Sequence, residues 1–87
     1  MINQIIKDNI DRYVKTGEVH SNFVFALLTN NLRDAFVFAD NDNIENMHSI
    51  VTYLYNEIPA NCWGSERQVE KYIDRMTRLR LLESGHD

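Results

Sequence analysis

Apolar residues recur along this chain at three- and four-residue spacing, and the pattern predicts helices almost throughout. Ile2, Ile5, Ile6, Ile10, Tyr13 and Val14 share one side of a first helix over residues 2–15, with Gly17 just beyond it as a C-terminal stop. Ser21 can cap a second helix, whose Phe23, Val24, Ala26, Leu27 and Leu28 make it apolar nearly all round. A helix of that kind belongs in the middle of a fold. Asn30 and Asn31 interrupt the run, and either suits the cap of the next helix. Residues 32–39 place Leu32, Ala35, Phe36 and Ala39 on one side of a short third helix. Val37 and Phe38 also allow a strand, but eight residues between two helices favour the helix.

Residues 40–43 are a polar break. With Asp42 as cap, Glu45 stands three positions on, a variant of the capping box. A fourth helix then carries Ile44, Met47, Ile50, Val51, Leu54, Tyr55 and Ile58. Pro59 ends it, because the residue before a proline is pushed out of helical geometry. Residues 59–64, Pro-Ala-Asn-Cys-Trp-Gly, form the clearest loop. Ser65 with Gln68 is a capping box that opens a fifth helix, running to about residue 83 with Val69, Tyr72, Ile73, Met76, Leu79 and Leu82 inward. Gly85 suits its stop, and residues 84–87 are expected to fray. The pattern therefore predicts an all-α fold, a compact bundle or orthogonal array of four to five short helices, in one domain over residues 1–87.

Composition agrees and narrows the setting. Three glycines and one proline leave little material for the turns of an all-β fold, and 87 residues are too few for two separate cores. Thirteen acids face nine bases, a net charge of −4 that disfavours general binding to nucleic acid or anionic membrane. The single cysteine, Cys62, excludes an internal disulfide and a cysteine-based zinc site, and it suits a reducing compartment. The first ten residues, broken by Asn3, Gln4, Lys7 and Asp8, lack the apolar run of a signal peptide or membrane span. The expectation is a cytosolic protein.

Reactive constellations are scarce. His20, His48 and His86 stand at metal-binding spacing from no other ligand cluster. Asp40, Asp42 and Glu45 lack the glycine and the closing glutamate of a calcium loop. Cys62 with His48 is a nucleophile and base on paper, yet a lone cysteine commonly serves as a small buried hydrophobe. No glycine-rich phosphate loop is present. The chain is expected to be no enzyme and to use no cofactor or metal.

Charge is distributed unevenly. From Asp34 through Glu57 there are five acids and no lysine or arginine. The last helix sets Arg67, Lys71 and Arg75 at successive four-residue steps, joined by Arg78 and Arg80, beside an acidic stripe of Glu66, Glu70 and Asp74. Exposed pairs on such a face are worth only a few tenths of a kcal/mol each. The stripe could alternatively dock on something anionic: the acidic region of another copy, a partner protein or a phosphate-bearing ligand. Trp63 either plugs the end of the fold against the first and fourth helices or offers a large aromatic beside the free N–H groups after Ser65. Candidate binding residues are thus Trp63, Ser65, Arg67, Lys71, Arg75, Arg78 and Tyr13. The first and fourth helices are apolar over wide arcs, which predicts a homo-oligomer.

Several of these residues recur together elsewhere. Tyr13 and Gly17, Phe23 with Ala26, Leu27 and Leu28, Asn30, Leu32, Ala35, Ala39-Asp40, Asn43, and the block Tyr53-Leu54-Tyr55-Asn56, Pro59 and Cys62-Trp63-Gly64-Ser65 resemble a family of short proteins encoded by phages and prophages. The likeness covers about residues 10–75 and brings no catalytic or binding residues with it. It implies an accessory protein that binds a host protein in the host cytosol, commonly to take over host machinery or block a defence. An oligomeric sponge for an anionic nucleotide signal is the alternative. A nucleic-acid-binding regulator using the last helix comes third, and a membrane role is not expected.

Overall fold

The computed structural model describes residues 2–84, and these are helical with no strand. Six α-helices are present: α1 (Gln4–Thr16), α2 (Asn22–Leu28), α3 (Leu32–Phe38), α4 (Asn41–Glu45), α5 (Met47–Glu57) and α6 (Glu66–Ser84), with a 3-10 turn at Ala60–Cys62. The all-α expectation holds, with one helix more than predicted. The stop expected at Gly85 and the fraying expected over residues 85–87 lie outside the described residues, while Ser84, also expected to fray, is the last residue of α6.

Most helix starts obey the polar residues read from the sequence. The Val24 N–H donates to Ser21 Oγ (3.3 Å), and the Gln68 N–H to Ser65 Oγ (3.1 Å). Between α2 and α3 the choice falls on Asn31, whose Oδ1 accepts from the Asp34 N–H (3.1 Å). Asn30 takes the other task. At φ 59° it sits in the left-handed region, where asparagine is tolerated. Its N–H donates to the Leu27 carbonyl, and the Asn31 N–H to that of Ala26 (3.1 and 2.8 Å). This is a Schellman turn, and it folds α3 back on α2.

The predicted fourth helix is two. Asp40, not Asp42, is the first cap, accepting from the Asn43 N–H (2.8 Å). Asp42 reaches across to the Nδ2 of Asn3, the cap of α1 (3.1 Å). Asn46, at φ −101° and ψ 12°, then steps the chain out of register between α4 and α5. Pro59 comes immediately after Ile58, whose extended backbone closes α5.

The core takes one side of each long helix: Ile6, Ile10 and Tyr13 from α1, most of α2, Ala35, Ile50 and Leu54, then Val69 and Tyr72 from α6. Helix ends inside such a core leave carbonyls without intrahelical donors. Three outside donors meet them here. The Tyr72 hydroxyl donates to the Val14 carbonyl in the last turn of α1. The Gly64 N–H donates to Leu28 at the end of α2 (2.8 Å). The fully buried Tyr13 donates to Cys62 at the end of the 3-10 turn. The two tyrosine rings lie 5.2 Å apart and tilted, a favourable aromatic contact.

Gly17 fixes the approach of α1 to α6. At φ 79° its N–H donates to the Tyr13 carbonyl (2.7 Å), the left-handed C-terminal stop expected from the sequence. A Cβ there would stand 2.6 Å from the Met76 Cβ, an atom held close to the backbone. Gly17→Ala is therefore expected to destabilise the protein by about 2 kcal/mol or more, from backbone strain and overpacking together. Tyr13→Phe, which strips a buried carbonyl of its donor, is expected to cost about 1–3 kcal/mol. Urea unfolding monitored by circular dichroism should show both as lower midpoints at an unchanged slope.

Candidate functional site

The site grows from the short loop that the sequence marked as its clearest. Trp63 has extended backbone and stands between two fastened neighbours, the carbonyl of Cys62 held by Tyr13 and the N–H of Gly64 held by Leu28. Gly64 itself adopts φ 115°, a conformation that favours glycine. The indole is thus delivered from a clamped backbone to the edge of the core, where it lies half-buried.

There it forms one wall of an apolar groove. Ala26 and Leu27 of α2, Leu32 and Ala35 of α3, and Met47, Val51 and Leu54 of α5 line the rest, with Asn30 and Asn31 at the turn. The hollow arises because α2 and α3 meet at two buried alanines, whose small side chains leave space that Trp63 and α5 only partly fill. Its cavity of about 140 Å³ is about the size that accepts one benzene-like group. The rims are more exposed than large hydrophobic side chains usually are, with Leu32 at 70% and Val51 at 42%. Trp63 also borders a neighbouring hollow with Tyr55, Ile58, Ala60 and Gly64, where Tyr55 is 79% exposed. Phe36, Val37 and Phe38 extend the uncovered apolar surface along α3. A contiguous apolar surface of this kind marks an interaction site more often than scattered single residues do.

The candidates named from the sequence separate in space. Trp63 packs on the core and also lines the groove, together with residues of α2, α3 and α5. Ser65 uses its hydroxyl to cap α6. Tyr13 is corrected to a core residue: it is fully buried with its hydroxyl engaged, so no ligand reaches it. Arg67, Lys71, Arg75 and Arg78 are exposed on the side of α6 away from Val69, Tyr72 and Met76, and among the described residues no α6 side chain lines the groove. Arg78 pairs with Asp74 (3.0 Å), and Arg75 lies 5.8 Å from the centre of the Tyr72 ring. The basic stripe and the tryptophan therefore do not form one site.

Of the groove's lining residues only Trp63 was a candidate from the sequence; the others, the exposed rims Leu32 and Val51 among them, were missed. A signal existed in α3, where Leu32, Phe36, Val37 and Phe38 surround a helix of two turns that can bury only one side.

The remaining reactive groups are occupied or isolated. Cys62 is buried, and burial pushes its thiol up, opposite to the shift an activated nucleophile needs. His48 is exposed in a separate shallow groove with Tyr53 and Glu57, and no hydrogen bond joins it to Cys62. Among the described residues no group of three or more His, Cys, Asp or Glu side chains could hold a metal ion, and no helix is long and apolar enough to cross a membrane. No family model, curated protein or solved structure matches this chain. Function has to be read from the site itself.

Several buried acids do predict a pH response. Burial, aided by the hydrogen bond to Asp11, pushes the Tyr53 hydroxyl from 10.0 up to about 12. Burial foremost also raises Tyr13, Tyr72 and Cys62. Each group holds its proton more tightly folded than unfolded, so the stability it contributes is whole below the unfolded value and is lost as pH rises toward the folded one. Melting temperature is expected to fall from about pH 9, where the thiol's contribution begins to be lost, through about pH 12. Tyr53→Phe should make that fall shallower in thermal melts across the range.

Proposed function

We propose that this chain is a non-enzymatic binding protein whose working surface is the Trp63 groove, and that its occupant is an apolar side chain on a basic amphipathic helix of a protein partner. The observation that carries this reading is the open apolar cavity with exposed rims at Leu32 and Val51, beside the neighbouring hollow where Tyr55 is exposed. A hollow of one-side-chain size, ringed by apolar surface, is how helix-in-groove recognition anchors a partner. Charge supports the sign of that partner. The segment from Asp34 through Glu57, which supplies most of α3, all of α4 and all of α5, carries acids and no lysine or arginine. The likeness of residues 10–75 to short phage-encoded proteins supplies the setting, in which the helix belongs to a host protein and its capture inhibits host or defence machinery.

The single tryptophan is a built-in reporter. A synthetic helical peptide of leucine and lysine, titrated into the full chain, is expected to change Trp63 emission saturably, and a leucine–glutamate peptide is not. Val51→Asp puts a carboxylate on the groove rim at an exposed position, so it should weaken peptide binding at least tenfold without changing the circular dichroism. Equal binding by the wild type and Val51→Asp would refute the assignment of the groove.

A further inference from the structure

The uncovered apolar surface runs in two rows that Trp63 joins. On α3, Leu32 and Phe36 stand one turn apart on the same side, and Val37 lies farther round the helix from the buried Ala35. On α5, Val51 and Tyr55 likewise stand one turn apart. Trp63 lines the cavity with Leu32 and Val51, and the neighbouring hollow with Tyr55. Phe36 and Val37 are 44 and 66% exposed, so the face stays open beyond the rims of the cavity.

Its area is that of an interface. At the 150–250 Å² or so that a large aromatic side chain offers, these six residues leave open on the order of 600 Å² of apolar surface per copy. A stable complex takes about 800 Å² from each partner, of which roughly 60% is apolar. The face thus holds the apolar share of one side of a dimer.

Charge is nearly absent from it. None of the residues lining the cavity is charged. The charged residues of α3, Arg33 and Asp34, pair with each other (3.7 Å), and the titratable His48 and Glu57 of α5 line a separate hollow with Tyr53. Two copies that meet about a two-fold axis set each group near its own kind, which repels on a charged face and is tolerated on a neutral one. The face also carries a knob beside its hole. The cavity of about 140 Å³ suits one benzene-like group, and Phe36 is an exposed phenyl ring one turn from the Leu32 wall. A two-fold pairing needs that placement, since the knob and hole of one copy meet the hole and knob of the other.

We infer that a second copy of this chain covers this face about a two-fold axis, each Phe36 ring entering the other copy's Trp63 cavity. The inference rests on reading the groove as a docking surface and names its resident occupant. A partner helix then has to displace that copy, so self-association and partner binding exclude each other.

Sedimentation of the full chain over a concentration series, with Trp63 emission read on the same samples, tests this. The wild type is expected to form a dimer, nearly insensitive to salt, whose emission shifts to the blue as the indole is covered. Phe36→Ala, which removes the knob, and Val37→Asp, which sets a carboxylate from each copy into the interface, should each associate at least tenfold more weakly. Val37 is well exposed and outside both hollows, so Val37→Asp keeps its circular dichroism even if Phe36→Ala loosens α3. Leu81→Asp, at an exposed position on α6, should dimerise as the wild type does. A monomeric wild type overturns the inference, and so does a dimer that Val37→Asp keeps or Leu81→Asp loses. If a monomeric wild type binds the leucine–lysine peptide and Val51→Asp does not, the groove reading stands without the dimer; loss of both retires both.

Discussion

The structure depends on donors for three carbonyls at helix ends. A chain of 87 residues has room for only a thin core, so the ends of α1, α2 and the 3-10 turn lie against that core rather than beyond it. An unpaired buried carbonyl there would cost about 1–3 kcal/mol, against a total stability on the order of 5–15 kcal/mol. Tyr72, Gly64 and Tyr13 supply the donors from other elements. The three bonds thereby fasten α6 to α1, the loop to α2, and α1 to the loop. Orientation of the helices and position of Trp63 are set by the same contacts.

That arrangement explains why a loop residue walls a preformed apolar groove. Loops that present a large aromatic are usually mobile. Here the residues on both sides of Trp63 are held by core hydrogen bonds, so the groove is formed before anything enters it, and little ordering is left to oppose binding. The same thinness of the core leaves apolar side chains on α3, α5 and the end of α6 uncovered. Charge is unevenly spread over these elements, with no lysine or arginine from Asp34 through Glu57 and both signs along α6.

Much of the fold was legible because local rules governed it. Ser21, Ser65, Gly17 and Pro59 act as their residue types suggest, through capping oxygens, a left-handed stop and an extended residue forced before the proline. The break at Asn46 was not legible, since Asp40 and Asp42 are equally good caps and the apolar spacing runs through both short helices. Tyr13 shows the limit for the site. Helical spacing puts it on an inner face, but whether its hydroxyl finds a buried partner depends on Cys62, far along the chain. The groove was hidden for the same reason: Ala26, Ala35, Val51 and Trp63 come from four elements, and the space between them belongs to their packing. The scattering of the α6 cations away from Trp63 likewise required the third dimension.

The most direct test of the account is amide hydrogen exchange at Gly64. If the loop is fastened as described, that N–H exchanges only on global unfolding, as slowly as amides in the middle of α2 and α6. Exchange at the rate of an exposed loop would contradict it, for then neither the donor to Leu28 nor a preformed Trp63 groove exists in solution.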